Sequence, residues 1–258
     1  MRIAVQIHPQ HTDYAGIRDA AMRAEDMGVD VVYNWDHFFP LYGGDPDPNS
    51  GAHFECWTML GAWAEQTDRV QLGALVTCNS YRNPELLADM ARTVDHISNG
   101  RLILGIGSGW FEKDYTEYGY AFGTAPSRLA DLDAAMPRIV HRLENLDPPP
   151  ARHIPILIGG AGEKVTLRIV AEHADVWHTF GDLDTIARKS EILDEWGDRV
   201  GRDASIIDRS IGVKPDQIDQ ANRFRSIGVT EFTIGLTGPD LDLEPVKPWL
   251  AWRDSVDR

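Results

Sequence analysis

The chain has 258 residues, 43% of them hydrophobic, enough to bury the core of one large α/β domain. A formal charge of −15 repels nucleic-acid backbones and anionic membrane surfaces, so neither is an expected partner. Two cysteines, Cys56 and Cys78, make no disulfide framework, and no apolar run reaches the roughly 18 residues of a membrane span, so a reducing cytoplasmic location is expected.

Short apolar runs rich in β-branched residues alternate with amphipathic segments along the chain. The opening "MRIAVQI" is too short for a signal peptide and predicts a strand over Ile3–Ile7, followed by a helix over Ile17–Met27 that stops at Gly28. Strands follow at Asp30–Trp35 and Val70–Thr77. The next helix, Pro84–Ser98, is the best marked. Asn83 can cap it, Pro84 suits its first position, Asn99-Gly100 can end it, and Leu86, Leu87, Met90, Val94 and Ile97 share one face. Leu102–Ile106 is a strand, Leu129–Leu143 a helix that Pro137 should kink, and Ile154–Ile158 a strand. Then come a helix from Val165, a strand at Asp175–Thr179, a helix at Ile186–Trp196, a strand at Ile206–Val213, a helix at Ile218–Ile227 and a strand at Glu231–Leu236. Eight strands alternating with helices predict a single (β/α)8 TIM barrel over residues 1–258, with an open doubly wound sheet as the alternative.

A barrel places its active site at the carboxyl ends of its strands. Those ends carry His8, then Trp35-Asp36-His37-Phe38, Leu75-Val76-Thr77, Gly107-Ser108-Gly109-Trp110, Gly159-Gly160-Ala161-Gly162 and His178. "LGIGSGW" imitates a dinucleotide fingerprint, but the third glycine of that motif falls on Trp110 and an aromatic loop follows rather than a helix. In "ILIGGAGEKVTLRI" a glycine turn precedes a helix expected to open at Glu163-Lys164. Backbone N–H groups and the helix dipole there can cradle a phosphate, and the same turn can also be a plain chain reversal. Lys164 or Arg168 could add countercharge. Asp36-His37 offers a carboxylate and a proton-transfer group, or equally a helix cap and a structural imidazole. The small residues of Ala74–Thr77 fit either a ring-facing surface or core packing. No histidine or carboxylate spacing suggests a metal site, and no Ser-His-Asp set is present.

Taken together, "DHF" after strand two, "GALVTCNSYRNPELLADMARTVDHISNGRLILGIGSGW" and "PILIGGAGEKVTLRIVAEHADVW" resemble the luciferase-like family of flavin and deazaflavin oxidoreductases. Within it they resemble the branch that uses coenzyme F420, and the match covers most of residues 1–180. The resemblance implies a barrel with the cofactor ring at its mouth and a non-proline cis bond at Leu75-Val76 behind the ring. It further implies that Gly107, Ser108 and Gly109 line the cofactor, that Gly160, Ala161, Gly162 and Glu163 hold its phosphate, and that Asp36, Leu75, Val76, Thr77, Gly159 and His178 contact it. His37 would be the catalytic acid/base, with His8, Trp35, Phe38 and Trp110 lining the substrate pocket, and Phe39 and Trp57 as further aromatic candidates.

The implied activity is hydride transfer between coenzyme F420 and a small organic substrate. An FMN-dependent monooxygenase and a deazaflavin-binding protein without turnover are the alternatives. Relatives that oxidise a sugar phosphate carry a glutamate where this chain has Trp110, and many have an excursion that the short Pro137–Ile154 segment lacks. A more open pocket, or one completed by the second subunit of a homodimer, is therefore expected.

Overall fold

The computed structural model describes residues 1–256. Its core is a closed parallel barrel of β1 (Arg2–Ile7), β2 (Val31–Asn34), β3 (Gln71–Ala74), β4 (Thr77–Cys78), β5 (Leu102–Gly107), β6 (Ile156–Gly159), β7 (Val176–Thr179), β8 (Asp208–Val213) and β9 (Val229–Leu236). β1 pairs with β2 and β9, and β3 pairs with β5, which closes the ring and rules out the open sheet. The eight predicted strands are all present. The run Val70–Thr77 is divided in two: β3 ends at Ala74, a cis Leu75-Val76 bond follows, and the chain pairs with β5 again as β4.

The helices are α1 (Tyr14–Asp26), α2 (Cys56–Gln66), α3 (Pro84–Ile97), α4 (Glu112–Tyr118), α5 (Ala125–Glu144), α6 (Thr166–His173), α7 (Leu183–Val200), α8 (Ala221–Ser226) and α9 (Lys247–Val256). The expected caps hold at α3: the Asn83 side chain accepts from the Leu86 N–H, and Asn99 and Gly100 take positive φ of 54° and 82°. Its buried face is rotated from the expected one. Leu87, Ala88, Ala91 and Val94 are inside, whereas Leu86 and Ile97 are exposed. Pro137 is carried within one continuous α5, and the segment expected at Ile218–Ile227 is a 3-10 turn followed by the short α8. Among the described residues no helix is long and apolar enough to cross a membrane.

Two apolar layers result. Ala4, Val31, Tyr33, Leu75, Ile103, Leu157 and Val176 fill the barrel, and a larger shell packs the outward strand faces against the helices.

Candidate active site

Four strands end in glycine positions at the barrel mouth, and side chains from beyond the strands lean over them. Val76 covers two: a Cβ at Gly107 would lie 2.7 Å from its Cγ2, and one at Gly159 would lie 2.9 Å from its Cγ1. The Phe180 ring covers Gly212, and the His8 ring covers Gly235. Gly107 thus clears space for Val76 before it clears any for a ligand, and Val76 is the floor. Gly109, at φ +79°, is required by Tyr115, whose hydroxyl would be 2.0 Å from a Cβ there. The carbonyl of Ser108 faces the same hydroxyl at 3.5 Å.

On one side of this floor stands His37, 12% exposed by its side chain, with Nδ1 2.6 Å from Asp114 Oδ2. Asp114 is buried on α4 and also accepts from the Phe38 N–H at 3.0 Å and the Tyr81 hydroxyl at 3.0 Å. A carboxylate can only accept here, so Nδ1 carries the proton and the lone pair is on Nε2. Nε2 has no protein partner among the described residues, and Trp35, Trp110 and Phe111 stand edge-on around the ring. The expected aromatic loop at residues 111–120 is in fact where this second residue of the dyad sits, on a seven-residue helix.

Asp36, expected to contact the cofactor, is held by partners within the protein. It is 2% exposed, and both oxygens are taken: Arg82 at 2.5 and 3.1 Å and the Cys78 N–H at 3.0 Å. Burial raises its pKa and Arg82 pulls it down. Arg82 also reaches Glu55 at 2.7 Å, so Asp36 and Glu55 share one cation, and through the Cys78 N–H Asp36 ties down the end of β4. Leu75 is tied in by its carbonyl, which accepts from the Gln6 amide at 2.6 Å, and Thr77 by the Trp57 indole at 3.1 Å. Trp57 is therefore a core residue.

The glycine turn after β6 is longer than expected. α6 begins at Thr166, not at Glu163, and has no side-chain cap. Gly160, at φ +136°, gives its N–H to the His178 carbonyl at 3.0 Å, but the N–H groups of Ala161, Gly162, Glu163 and Lys164 donate to no protein group among the described residues. That leaves a row of open donors before a helix, shifted one residue downstream of the expected cradle. The Glu163 side chain is taken by Arg188 at 2.5 Å and Lys189 at 3.4 Å. Lys189, on α7, also donates to the Ala161 carbonyl at 2.5 Å and brings a cation under the turn. Arg168 is committed to Asp133 and Glu172. Lys189 lies too far along the chain from the turn to have been matched to it by any local pattern.

Three of the four expected pocket aromatics meet. His8 stacks on Trp35 at 4.2 Å, the Trp35 indole donates to His53 at 3.1 Å, and Trp110 is 62% exposed beside His37. Phe38 does not join them: it stacks on Tyr118 at 4.0 Å and packs on Tyr81 and Tyr120, rooting α4. Phe39 lies under Lys113 on that same side. Tyr42, absent from the expectation, bonds His8 Nδ1 through its hydroxyl at 2.5 Å. His178 is buried opposite His37's side of the floor's glycine pair, on the strand in register with Gly159.

A profile of the luciferase-like monooxygenase family matches residues 1–215. An uncharacterised protein of Mycobacterium tuberculosis is 29% identical over 212 residues, 76% of this chain and 74% of that relative. An F420-dependent glucose-6-phosphate dehydrogenase of Amycolatopsis mediterranei is 41% identical over 92 residues, 34% of this chain and 26% of the relative. The solved structure of an F420-dependent secondary alcohol dehydrogenase, in complex with an F420-acetone adduct, superposes with a TM-score of 0.83 at 17% identity, covering 96% of both chains. With most of its length matched by the profile and the same barrel in its coordinates, the chain belongs to the luciferase-like monooxygenase family.

Proposed function

We propose that this protein is a coenzyme F420-dependent oxidoreductase acting on a small, apolar or aromatic alcohol, carbonyl compound or activated alkene. The observation that carries the reading is the joint placement of an open-donor turn at residues 161–164 and a free His37 Nε2 at one barrel mouth, with only Val76 over the glycines Gly107 and Gly159 between them. The relatives whose names include this cofactor support it.

The residues present fit a phosphate-bearing ring cofactor. Ala161, Gly162, Glu163 and Lys164 would take the phosphate through backbone N–H groups, with Lys189 adding charge from below in a protein that is otherwise acidic. The Val76 floor would back the ring. When bound, a deazaflavin gives or accepts a hydride at one ring carbon. His37 Nε2 handles the accompanying proton: its lone pair takes one from an alcohol undergoing oxidation, and in the reverse direction the ring, carrying protons on both nitrogens, gives the Nε2 proton to a carbonyl or alkene undergoing reduction. Asp114 holds the imidazole in the tautomer that leaves Nε2 as the working atom. Trp35, Trp110 and Phe111 wall the space around it with apolar surface. Trp110 cannot transfer a proton, so a substrate that requires a carboxylate at that position is disfavoured.

The test is titration of the purified protein with coenzyme F420 and with FMN, following tryptophan and ligand fluorescence. Micromolar binding of F420 in preference to FMN supports the proposal. Preference for FMN replaces it with an FMN-dependent monooxygenase, and binding of neither rejects both.

A further inference from the structure

A line of polar side chains, separate from the His37 dyad, runs through the interior of the barrel. It joins His178 on β7, Ser210 on β8, Glu231 on β9, Tyr33 on β2 and Arg2 on β1. His178 is in register with Ser210, and Ser210 with Glu231. The directions of its hydrogen bonds are fixed from the acid end. The Ser210 hydroxyl donates to Glu231 Oε1 at 2.7 Å and the Tyr33 hydroxyl donates to the same oxygen at 3.3 Å. Arg2 Nη2 lies 2.6 Å from Oε2, close as an ion pair though off the line of a hydrogen bond. With a guanidinium against one oxygen and two hydroxyl donors on the other, Glu231 accepts on both sides and the proton of Ser210 is committed to it.

The consequence reaches His178. Its Nδ1 is 2.8 Å from Ser210 Oγ, whose own hydrogen points to Glu231, so the proton in that contact must come from Nδ1. The imidazole is thereby the Nδ1–H tautomer and Nε2 bears a lone pair. His178 is 3% exposed, and its Nε2 is a buried atom with no partner. Burial pushes the ring's pKa down to about 3, so it stays neutral at ordinary pH. A bare acceptor in such a place is costly to the folded protein.

Two placements say where the acceptor lies. Val176, two residues earlier on β7, packs inside the barrel with Tyr33, Leu75 and Val76, so the alternation of the strand puts His178 on the same inner face, one tier nearer the mouth. Thr233, in register with Gly212 on the inner face of β9, is a second buried residue whose hydroxyl lacks a partner. The Phe180 ring that covers Gly212 also stands edge-on to His178 at 5.1 Å. Two buried polar groups without partners thus lie beside Gly212 on the inner face, next to an exposed aromatic ring.

We propose that His178 Nε2 is a recognition acceptor for the ring of the bound cofactor, taking a hydrogen bond from an imide N–H at the edge of a pyrimidinedione. Thr233 is free to donate to a carbonyl of such an edge. This rests on the cofactor reading above and adds to it a chemical demand: the ring edge must present a donor, because the network leaves His178 nothing to give. Arg2, Tyr33, Glu231 and Ser210 act only through it, as positioning residues that set its tautomer.

The experiment has two parts. Nitrogen-15 NMR of the histidines in the ligand-free wild-type protein, with His178 assigned by its loss in His178→Phe, reads the tautomer directly. The expected result is a protonated Nδ1 and an unprotonated Nε2 from pH 5.5 to 8, with Ser210→Ala relaxing that preference. A protonated Nε2 in the wild type overturns this inference alone and leaves the cofactor reading standing. The second part titrates wild type and His178→Phe with coenzyme F420 or FMN, whichever binds, and with its derivative methylated at the imide nitrogen. Methylation is expected to weaken binding to the wild type by tenfold or more and to make little difference to His178→Phe. An equal penalty in both proteins, or none in the wild type, overturns the contact. If neither cofactor binds although the tautomer is as assigned, the ring assignment falls together with the cofactor reading. The wild-type tautomer and the wild-type methylation penalty remain decisive even if the variant folds poorly.

Discussion

Asp114 and His37 stand 77 residues apart in the chain and 2.6 Å apart in the fold, with the carboxylate buried and the imidazole partly open to the mouth. Replacing Asp114 with Asn presents an amide that can donate to Nδ1 and so favours the wrong tautomer. Substrate-dependent turnover of the bound cofactor should fall by about 10²–10⁴ in both Asp114→Asn and His37→Asn. Cofactor affinity should be essentially unchanged in both. Full turnover in His37→Asn, read by cofactor absorbance, would remove the proton-transfer role.

Phosphate holding is testable at two points. Gly160 has φ +136°, and a Cβ there would meet the Thr166 methyl at 3.0 Å, so Gly160→Val should displace the open donors that follow it. Lys189→Met removes the cation beneath the turn. Each should weaken cofactor binding by more than about tenfold. The Lys189 effect should shrink as salt is raised, whereas the Gly160 effect should not. Fluorescence titration at low and high ionic strength separates the two.

Close packing of Val76 on two glycines predicts a compensating pair. Gly107→Ala should destabilise the protein by about 1–3 kcal/mol through overpacking. Val76→Ala should recover much of that loss when combined with it, so that the effects are plainly non-additive in a double-mutant cycle followed by urea denaturation.

Acid should destabilise the fold before most carboxylates titrate. Burial lowers His8 and His53 to about 4 and His178 to about 3, against an ordinary value of 6.5. Between those values the unfolded chain binds protons that the folded chain refuses, so stability is whole above about pH 6.5 and is lost progressively as pH falls toward 4. The slope should be on the order of 1 kcal/mol per pH unit for each histidine. Urea midpoints measured from pH 7.5 to 4 check it, and His53→Gln should flatten the curve.

Among the described residues Arg82 is the sole side-chain cation on Asp36, whose carboxylate is wholly buried. Arg82→Met should therefore cost about 3–5 kcal/mol, as expected when one partner of a buried ion pair is removed. A loss below about 1 kcal/mol by chemical denaturation would show the pair to be dispensable.

The strands were legible because parallel barrel strands are apolar on both faces and β-branched, and the caps of α3 because Asn83, Pro84 and Asn99-Gly100 each have a local reason for their positions. Helix α2 was not legible: Cys56, Trp57, Met59, Leu60, Trp63 and Ala64 are all buried, leaving too small a polar face to show a period. Nor was α4, with only Asp114 and Tyr115 inside. Of the site, the histidine at position 37 and the glycine turn were visible because strand ends carry function in such barrels. Their partners were not. Asp114 and Lys189 reach the site from helices remote in sequence, and Asp36 looked free because nothing near it announces Arg82.

The glycines at the ends of β5, β6, β8 and β9 give the mouth an unusual division of labour. Its floor is made by Val76, Phe180 and His8, none of which belongs to the strands it covers. The barrel therefore behaves as a socket and the loops as its inserts: a change of loop residue reshapes what the site accepts while every strand ladder stays as it is. The fit of whatever ring the mouth holds should be most readily altered at those three positions, with the glycines beneath them left alone.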